Sequence, residues 1–280
     1  MKRRRAFFTA VAACLLAVSI SGCGSTNGND NAGDSARSEP ETNEATPAST
    51  AFGHKSVWMQ YGDDQISKDT GVERILVFDG KGNVTVYDTR GIVLNGGTSY
   101  EGVTFGDLDG LSDDEIIDLA KKKDRERFDA TKQSAIDETN EDIESFAGMP
   151  DHIKNAEEGQ KVNEAAEYQE PKAVPFTLKL ETDGTGNSAA SETLSFEHQS
   201  LNSSHFYSGS HIGSHPDRYA DEALYKTEQV DIKLFSPTYS TTSIVYDTTF
   251  GGYSGLATVV NEGHAGFTWD TPDTEGIEVD

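Results

Sequence analysis

The sequence has only two cysteines, Cys14 and Cys23, among its 280 residues. Cys14 lies inside an apolar run and Cys23 closely follows that run, so neither belongs to the part of the chain that can fold into a domain. That part therefore has no disulfide, no cysteine-based metal site and no thiol nucleophile. We expect its stability to come from an ordinary hydrophobic core.

The apolar run from Ala6 to Ile20 is too short for a transmembrane helix. It holds about 15 residues and includes Thr9 and Ser19, whereas a helix that crosses a bilayer needs roughly 20 predominantly apolar residues. Basic residues at positions 2–5 precede the run. A basic segment followed by a short apolar one is typical of a cleavable signal peptide.

The apolar run ends in Ile20-Ser21-Gly22-Cys23: a branched apolar residue, two small residues and a cysteine. This segment resembles the lipobox of bacterial lipoproteins, over residues 1–23 only. The resemblance implies a signal peptide over residues 1–22, lipid such as palmitate on Cys23, and attachment to the extracytoplasmic face of the cell membrane. Two acyl chains give stable attachment, whereas one holds a protein only marginally. The alternative is an ordinary secretory signal that happens to end near a cysteine.

The globular part also loosely resembles uncharacterised lipoproteins of Gram-positive bacteria. That resemblance implies no particular activity.

Basic residues are scarce, with 23 Lys and Arg against 48 Asp and Glu and a formal charge of −25. Cleavage before Cys23 would remove four basic residues and make this charge −29. Such a surface repels nucleic acid and anionic lipid headgroups, so we expect no nucleic-acid partner. The acids are spread along the chain, and they are explained either by solubility or by attraction of cations and basic partners.

Residues 24–51 contain no aromatic or large aliphatic side chain and therefore cannot build a core. We predict that residues 23–51 form a lipidated, disordered tether, with a reach of roughly 30 Å. The globular domain is then predicted to span residues 52–280, with a possible subdivision near residues 150–172.

Two β-rich runs, Val72–Phe78 and Val84–Tyr87, flank a short segment rich in Gly and Asn and predict a hairpin. Alternating apolar residues predict a second hairpin from 176–180 and 194–196. Other strands are predicted at residues 57–61, 103–105, 230–235, 243–250, 256–260 and 267–269.

The pattern changes at Ser112, where Ser112 and Glu115 have the spacing of a capping box. Apolar residues then recur at helical spacing, which predicts one long or two successive helices over about 113–147, ended by Gly148 and Pro150. The acidic segment 151–170 is read either as a loose helix or as a loop. Helices inserted between two sheet regions predict an α+β, antiparallel β-rich fold.

Four of the seven histidines lie between residues 198 and 215. His205, His211 and His215 are candidate ligands for zinc or copper, because imidazole is a common metal ligand. The glycines and proline around them indicate a loop, where this spacing is not diagnostic. Solvated or hydrogen-bonded loop histidines are the alternative.

Two aromatic residues near strand ends, Trp58 and Tyr253, are candidate contacts for a ligand or partner, since exposed rings stack on sugars and anchor proteins. Rings in strands also serve the core, which is the competing interpretation. Catalytic motifs are missing: Gly252-Tyr253-Ser254-Gly255 is followed by Leu256 in place of the last Gly of a nucleophile elbow.

Three classes of function follow from these patterns. The first is a non-enzymatic surface lipoprotein that binds a protein, a glycan or a small ligand. The second is a zinc- or copper-binding protein, and the third is a hydrolase with an unrecognised site. The lack of catalytic motifs and the long tether favour the first.

Overall fold

The computed structural model of the chain describes residues 44–94, 99–207, 222–235 and 242–280. The helices in these ranges are α1 (Ala48–Gly53), α2 (Asp113–Ser145) and α3 (Pro150–Ala165). The strands are β1 (Thr46–Pro47), β2 (Lys55–Tyr61), β3 (Gly71–Asp79), β4 (Asn83–Asp88), β5 (Ile92–Val93), β6 (Ser99–Tyr100), β7 (Val103–Thr104), β8 (Val174–Thr182), β9 (Ala189–Leu201), β10 (Tyr225–Leu234), β11 (Ser243–Val245), β12 (Thr248–Tyr253), β13 (Leu256–Val259), β14 (Phe267–Thr268) and β15 (Glu278–Val279). The predicted signal peptide and Cys23 lie outside the described residues.

One large sheet has the strand order β10-β9-β8-β4-β3-β2-β13-β12-β11, with β7 beside β3 and β15 beside β8. Every pair in it is antiparallel except β15 with β8. Helices α2 and α3 are inserted between the strands of the first half and those of the second. The α+β fold predicted from the sequence is confirmed.

Both predicted hairpins are present. In the first, β3 pairs with β4 so that Phe78 faces Val84, and the turn between them uses Gly80 and Gly82 at φ of +70° and +85°. Positive φ is accessible to glycine at little cost, which explains why the sequence turns there. In the second hairpin, β8 pairs with β9.

A single helix of 33 residues, α2, covers the predicted helical region. Its capping box is formed: the Ser112 N–H donates to Glu115 Oε2 at 2.8 Å, and the Glu115 N–H donates to Ser112 Oγ at 3.4 Å. The helix ends before Gly148, which has φ of +105°, and Pro150 starts α3. The acidic segment after Pro150 is therefore helical up to Ala165.

The sheet buries apolar residues on both faces, because successive strand residues point to opposite sides. In β2, Val57 and Met59 join a cluster that includes Ile116 of α2. Trp58, between them, joins a second cluster that includes Phe52 of α1. No helix among the described residues is long and apolar enough to span a membrane.

Two predicted boundaries are wrong. The tether was predicted to extend to residue 51, but Ala48 and Phe52 of α1 are fully buried, so the folded part begins earlier. The strand predicted over 243–250 is divided into β11 and β12 by Tyr246, whose φ is +52°. The described residues, from 44 to 280, belong to one compact unit, and they show no subdivision near 150–172.

Candidate ligand pocket

A pocket of about 460 Å³ opens between the first half of α2, strands β4 and β9, and the segment 168–174 that leads into β8. This volume is in the range of pockets that hold small ligands. Apolar walls come from residues such as Val86, Phe128, Val174 and Leu201. The titratable side chains of the lining are Asp88, Asp124, Arg127, Tyr168, Glu170, Lys172, Glu197, His198 and Tyr225.

Asp88, the last residue of β4, is the centre of an ion cluster at one side of this pocket. Its carboxylate lies 3.3 Å from Arg74 Nε, 3.6 Å from Arg127 Nη1 and 3.3 Å from His198 Nε2. Arg74 lies in β3, Arg127 in α2 and His198 in β9. The cluster therefore joins the sheet to the long helix.

Burial alone would raise the pKa of Asp88, but the hydrogen bond and charge of His198, together with Arg127 and Arg74, lower it below its ordinary value. Asp88 is thus ionised at neutral pH. The Nε atoms of Arg74 and Arg127 are buried and make no hydrogen bond. A buried donor without a hydrogen bond costs stability, although Arg74 Nε keeps its ion pair with Asp88.

A second carboxylate, Asp124 of α2, lies beside the first. Its Oδ1 accepts the backbone N–H of Asp88 at 2.9 Å, and its Oδ2 accepts the hydroxyl of Tyr168 at 2.7 Å. Burial raises the pKa of Asp124 above its ordinary value, although both hydrogen bonds oppose the shift. Burial and the bond to Asp124 also raise the pKa of Tyr168.

The segment 168–174 closes the pocket with one aromatic ring and with charges at the rim. The Tyr168 ring lies 5.7 Å from the Phe128 ring, and the Arg125 guanidinium lies 5.3 Å from the Tyr168 ring centre. The backbone N–H of Gln169 donates to the hydroxyl of Tyr225 at 3.1 Å. These contacts fix both tyrosines at the pocket.

The two aromatic residues singled out in the sequence do not belong to this pocket. Trp58 is 1% exposed and Tyr253 is 3% exposed, and their rings stack on each other with centroids 6.1 Å apart. The hydroxyl of Tyr253 donates to the backbone carbonyl of Thr268 at 2.9 Å. The prediction that these rings contact a ligand or partner is corrected, because both belong to the core.

Of the three candidate metal ligands, only His205 is described by the structure. Its Nδ1 lies 2.7 Å from the carbonyl oxygen of Glu222, within hydrogen-bond distance. His211 and His215 lie outside the described residues. In the part of the chain that the structure covers, no group of three or more His, Cys, Asp or Glu side chains is arranged to hold a metal ion. The metal site remains a prediction.

No family model, curated protein or solved structure matches the chain. The interpretation of the pocket therefore rests on its own residues. Its charged side chains come from four separate parts of the sequence.

Sequence reasoning missed the pocket because Asp88 and His198 are 110 positions apart. One signal could have indicated it. Leu194, Phe196 and His198 alternate along β9 and are all buried, so the histidine occupies a position that the strand pattern reserves for an apolar residue. A buried polar residue at such a position needs a partner, and the partner here is Asp88.

Proposed function

We propose that the protein is a lipid-anchored binding protein on the extracytoplasmic face of the cell membrane, and that its pocket holds a ligand bearing an alkylammonium group. The observation that supports this best is a pocket of about 460 Å³ with aromatic walls and more carboxylates than cations in its lining. The lipobox at Cys23 supports the location.

The charge balance of the pocket favours a cation. Asp88 is already neutralised by its own ion cluster, whereas Asp124 accepts only from neutral donors. Within the described residues, Asp124, Glu170 and Glu197 form no ion pair with Lys or Arg. Across the whole lining, Arg127 and Lys172 stand against four carboxylates, and the charge of Arg127 also acts on Asp124. A ligand ammonium would supply the missing positive charge and three donors.

The acids of the pocket also add to the effect of burial on two tyrosines, Tyr87 and Tyr225. Burial, followed by the charges of Glu170 and Asp124, raises the pKa of Tyr87 to about 12. The charge of Asp124 also adds to the effect of burial in raising the pKa of Tyr225. Negative potential beside neutral aromatic rings suits an organic cation, because ring faces attract cations and the alkyl chain covers apolar wall.

Calorimetry with two ligands of equal chain length and opposite charge tests this proposal. We expect 1,5-diaminopentane to bind with a Kd below about 1 mM and glutarate to give no heat. Asp124→Asn keeps an oxygen acceptor for the Asp88 N–H but removes the charge, and it should weaken diamine binding about tenfold or more. The matched control is Asp118→Asn, an exposed acid on the same helix, which should leave the Kd unchanged.

The two ligands test separately whether the pocket binds a ligand and whether that ligand is a cation. Binding of glutarate alone would retain a ligand pocket but reject the cationic ligand. Absence of binding by both, or diamine binding that Asp124→Asn does not change, would contradict the assignment of this pocket.

A second candidate is general acid–base catalysis in the same pocket, favoured by the contact between His198 and Asp88. A histidine oriented by a carboxylate is a common proton-transfer unit in hydrolases. Turnover of p-nitrophenyl esters, phosphates or glycosides that disappears in His198→Gln would support it. Equal turnover by both proteins would contradict it.

The predicted zinc or copper site is a separate candidate. Titration with Zn²⁺ should reveal a 1:1 site that His211→Ala weakens. Absence of any heat of binding would contradict it.

A further inference from the structure

Two carboxyl groups meet in the core, outside the ligand pocket. Glu192 of β9 is 0% exposed and Asp270, in the segment after β14, is 3% exposed. Glu192 Oε2 accepts the backbone N–H of Asp270 at 3.0 Å. The Asp270 carboxylate in turn accepts the backbone N–H of Ser49 at 2.8 Å and its hydroxyl at 2.5 Å. The pair thus connects helix α1 to the sheet.

The surroundings of Glu192 offer no compensating charge. On either side in the sheet register, β8 presents Leu180 and β10 presents Leu234, both fully buried. The phenol of Tyr253, from β12, is close enough to feel the charges of the pair. Among the described residues no Lys, Arg or His forms an ion pair with Glu192 or Asp270.

One oxygen of Glu192 is also left without a partner. Its Oε1 is buried and makes no hydrogen bond. Two ionised carboxylates close together in an apolar site without a cation destabilise each other, which favours the protonated form of one of them. Burial, followed by contact with Asp270, raises the pKa of Glu192 to about 8.

We propose that Glu192 and Asp270 form a proton-dependent clasp that holds α1 against the sheet. Loss of the proton from Glu192 places a negative charge beside Asp270, the residue that accepts both hydrogen bonds of Ser49. Ala48 and Phe52 then leave the core when α1 detaches. In the anchored protein this would loosen the domain from the segment leading to the membrane, independently of the ligand pocket.

The folded state binds the proton of Glu192 more tightly than the unfolded state does. This difference sets the direction in which stability changes with pH. The contribution of Glu192 to stability is fully present below its ordinary pKa of 4.5. It is lost as the pH rises towards the folded value of about 8. Alkaline conditions therefore open the clasp and acidic conditions close it.

The two tryptophans of the chain are natural reporters of this opening. The ring of Trp58 lies 4.9 Å from that of Phe52 of α1, and Trp269 directly precedes Asp270. In the full-length protein, titrated from pH 5 to 10, we expect the emission to shift to longer wavelength with a midpoint near pH 8. Glu192→Gln, which mimics the protonated state, should remove this transition. The exposed Glu228→Gln on β10 is the matched control and should retain it.

A measurement on the unmodified protein makes the test independent of whether the variant folds. Carbon-13 NMR of the carboxyl groups should show Glu192 titrating near pH 8. Exchange of the Ser49 amide, corrected for its intrinsic pH dependence, should accelerate over the same range. A Glu192 titration near pH 4.5, or one that leaves both Ser49 exchange and tryptophan emission unchanged, would overturn the clasp.

Discussion

At the scale of single residues, Asp88 lies within ion-pair distance of three basic side chains, those of Arg74, Arg127 and His198. The side chains of Asp88, Arg74 and Arg127 are 14%, 17% and 21% exposed, so water screens their charges only partly. Removing one member of a buried ion cluster is costly because the others remain charged. The cost here is reduced by the remaining exposure.

We predict that Asp88→Asn lowers the free energy of unfolding by about 2–4 kcal/mol, because two arginines lose their counter-charge. Urea denaturation at pH 7 measures this loss. The control is Asp129→Asn, which removes the partner of the exposed Arg125 and should cost little, since surface ion pairs contribute weakly. Equal midpoints for Asp88→Asn and the unmodified protein would contradict the interpretation.

Asp88 also makes the stability of the protein depend on pH in the acidic range. Because the folded pKa of Asp88 lies below its ordinary value of 3.8, its stabilising contribution is present above that value. It is lost as the pH falls through the folded pKa. The Asp88→Asn variant should therefore lose less stability on acidification than the unmodified protein.

At the scale of elements, helix α3 packs closely against the ring of Tyr207 at Gly159. A Cβ added at Gly159 would overlap the ring of Tyr207, a residue that is 1% exposed. Asn163, one turn further along α3, accepts from the backbone N–H of Tyr207 at 2.8 Å and donates to its carbonyl at 3.0 Å. The ring therefore has little freedom to move away.

We predict that Gly159→Ala destabilises the protein by about 1–3 kcal/mol through overpacking, although alanine is the better helix former. Thermal unfolding followed by circular dichroism measures this change. Gly184→Ala is the control, because a Cβ there meets no atom within 4 Å. An unchanged or increased stability of Gly159→Ala would show that α3 is packed more loosely than the structure indicates.

The sequence predicts helices, turns and strands well where interactions between neighbouring residues determine them. The capping box at Ser112, the Gly-rich turn after β3 and the alternating pattern of β8 each act within a few residues. The errors occurred where distant contacts decide the structure. Helix α1 begins with four small residues, 48–51, that resemble a linker, and Ser49 among them is held by its bonds to Asp270, 221 positions away. The turn at Tyr246 is supported by Asp109, which accepts the backbone N–H of Asp247 at 3.1 Å.

At the scale of the molecule, two acidic features have different consequences. The overall charge of −25 raises the local concentration of cations near the surface, and this attraction weakens with salt. Within the pocket, Asp88 and Asp124 are half-buried whereas Glu170 and Glu197 are exposed, and under the proposed function these acids would select among those cations. The candidate site could not be read from composition, because its members were only four of 48 acids before the fold brought Asp88 and Asp124 together.

At the same scale, we propose that the location of the molecule depends on Cys23. If this residue carries lipid, Cys23→Ser removes the acyl chains, and the protein should either appear in the medium or remain as the uncleaved precursor with its signal peptide. Cell fractionation followed by mass spectrometry of the N-terminus distinguishes these products. Ser21→Ala is a suitable control, because it keeps a small residue before the cysteine and should leave the protein on the membrane. A cleaved Cys23→Ser product retained on the membrane would show that attachment does not use lipid on this residue, since without acyl chains a strongly acidic domain has no attraction for anionic headgroups.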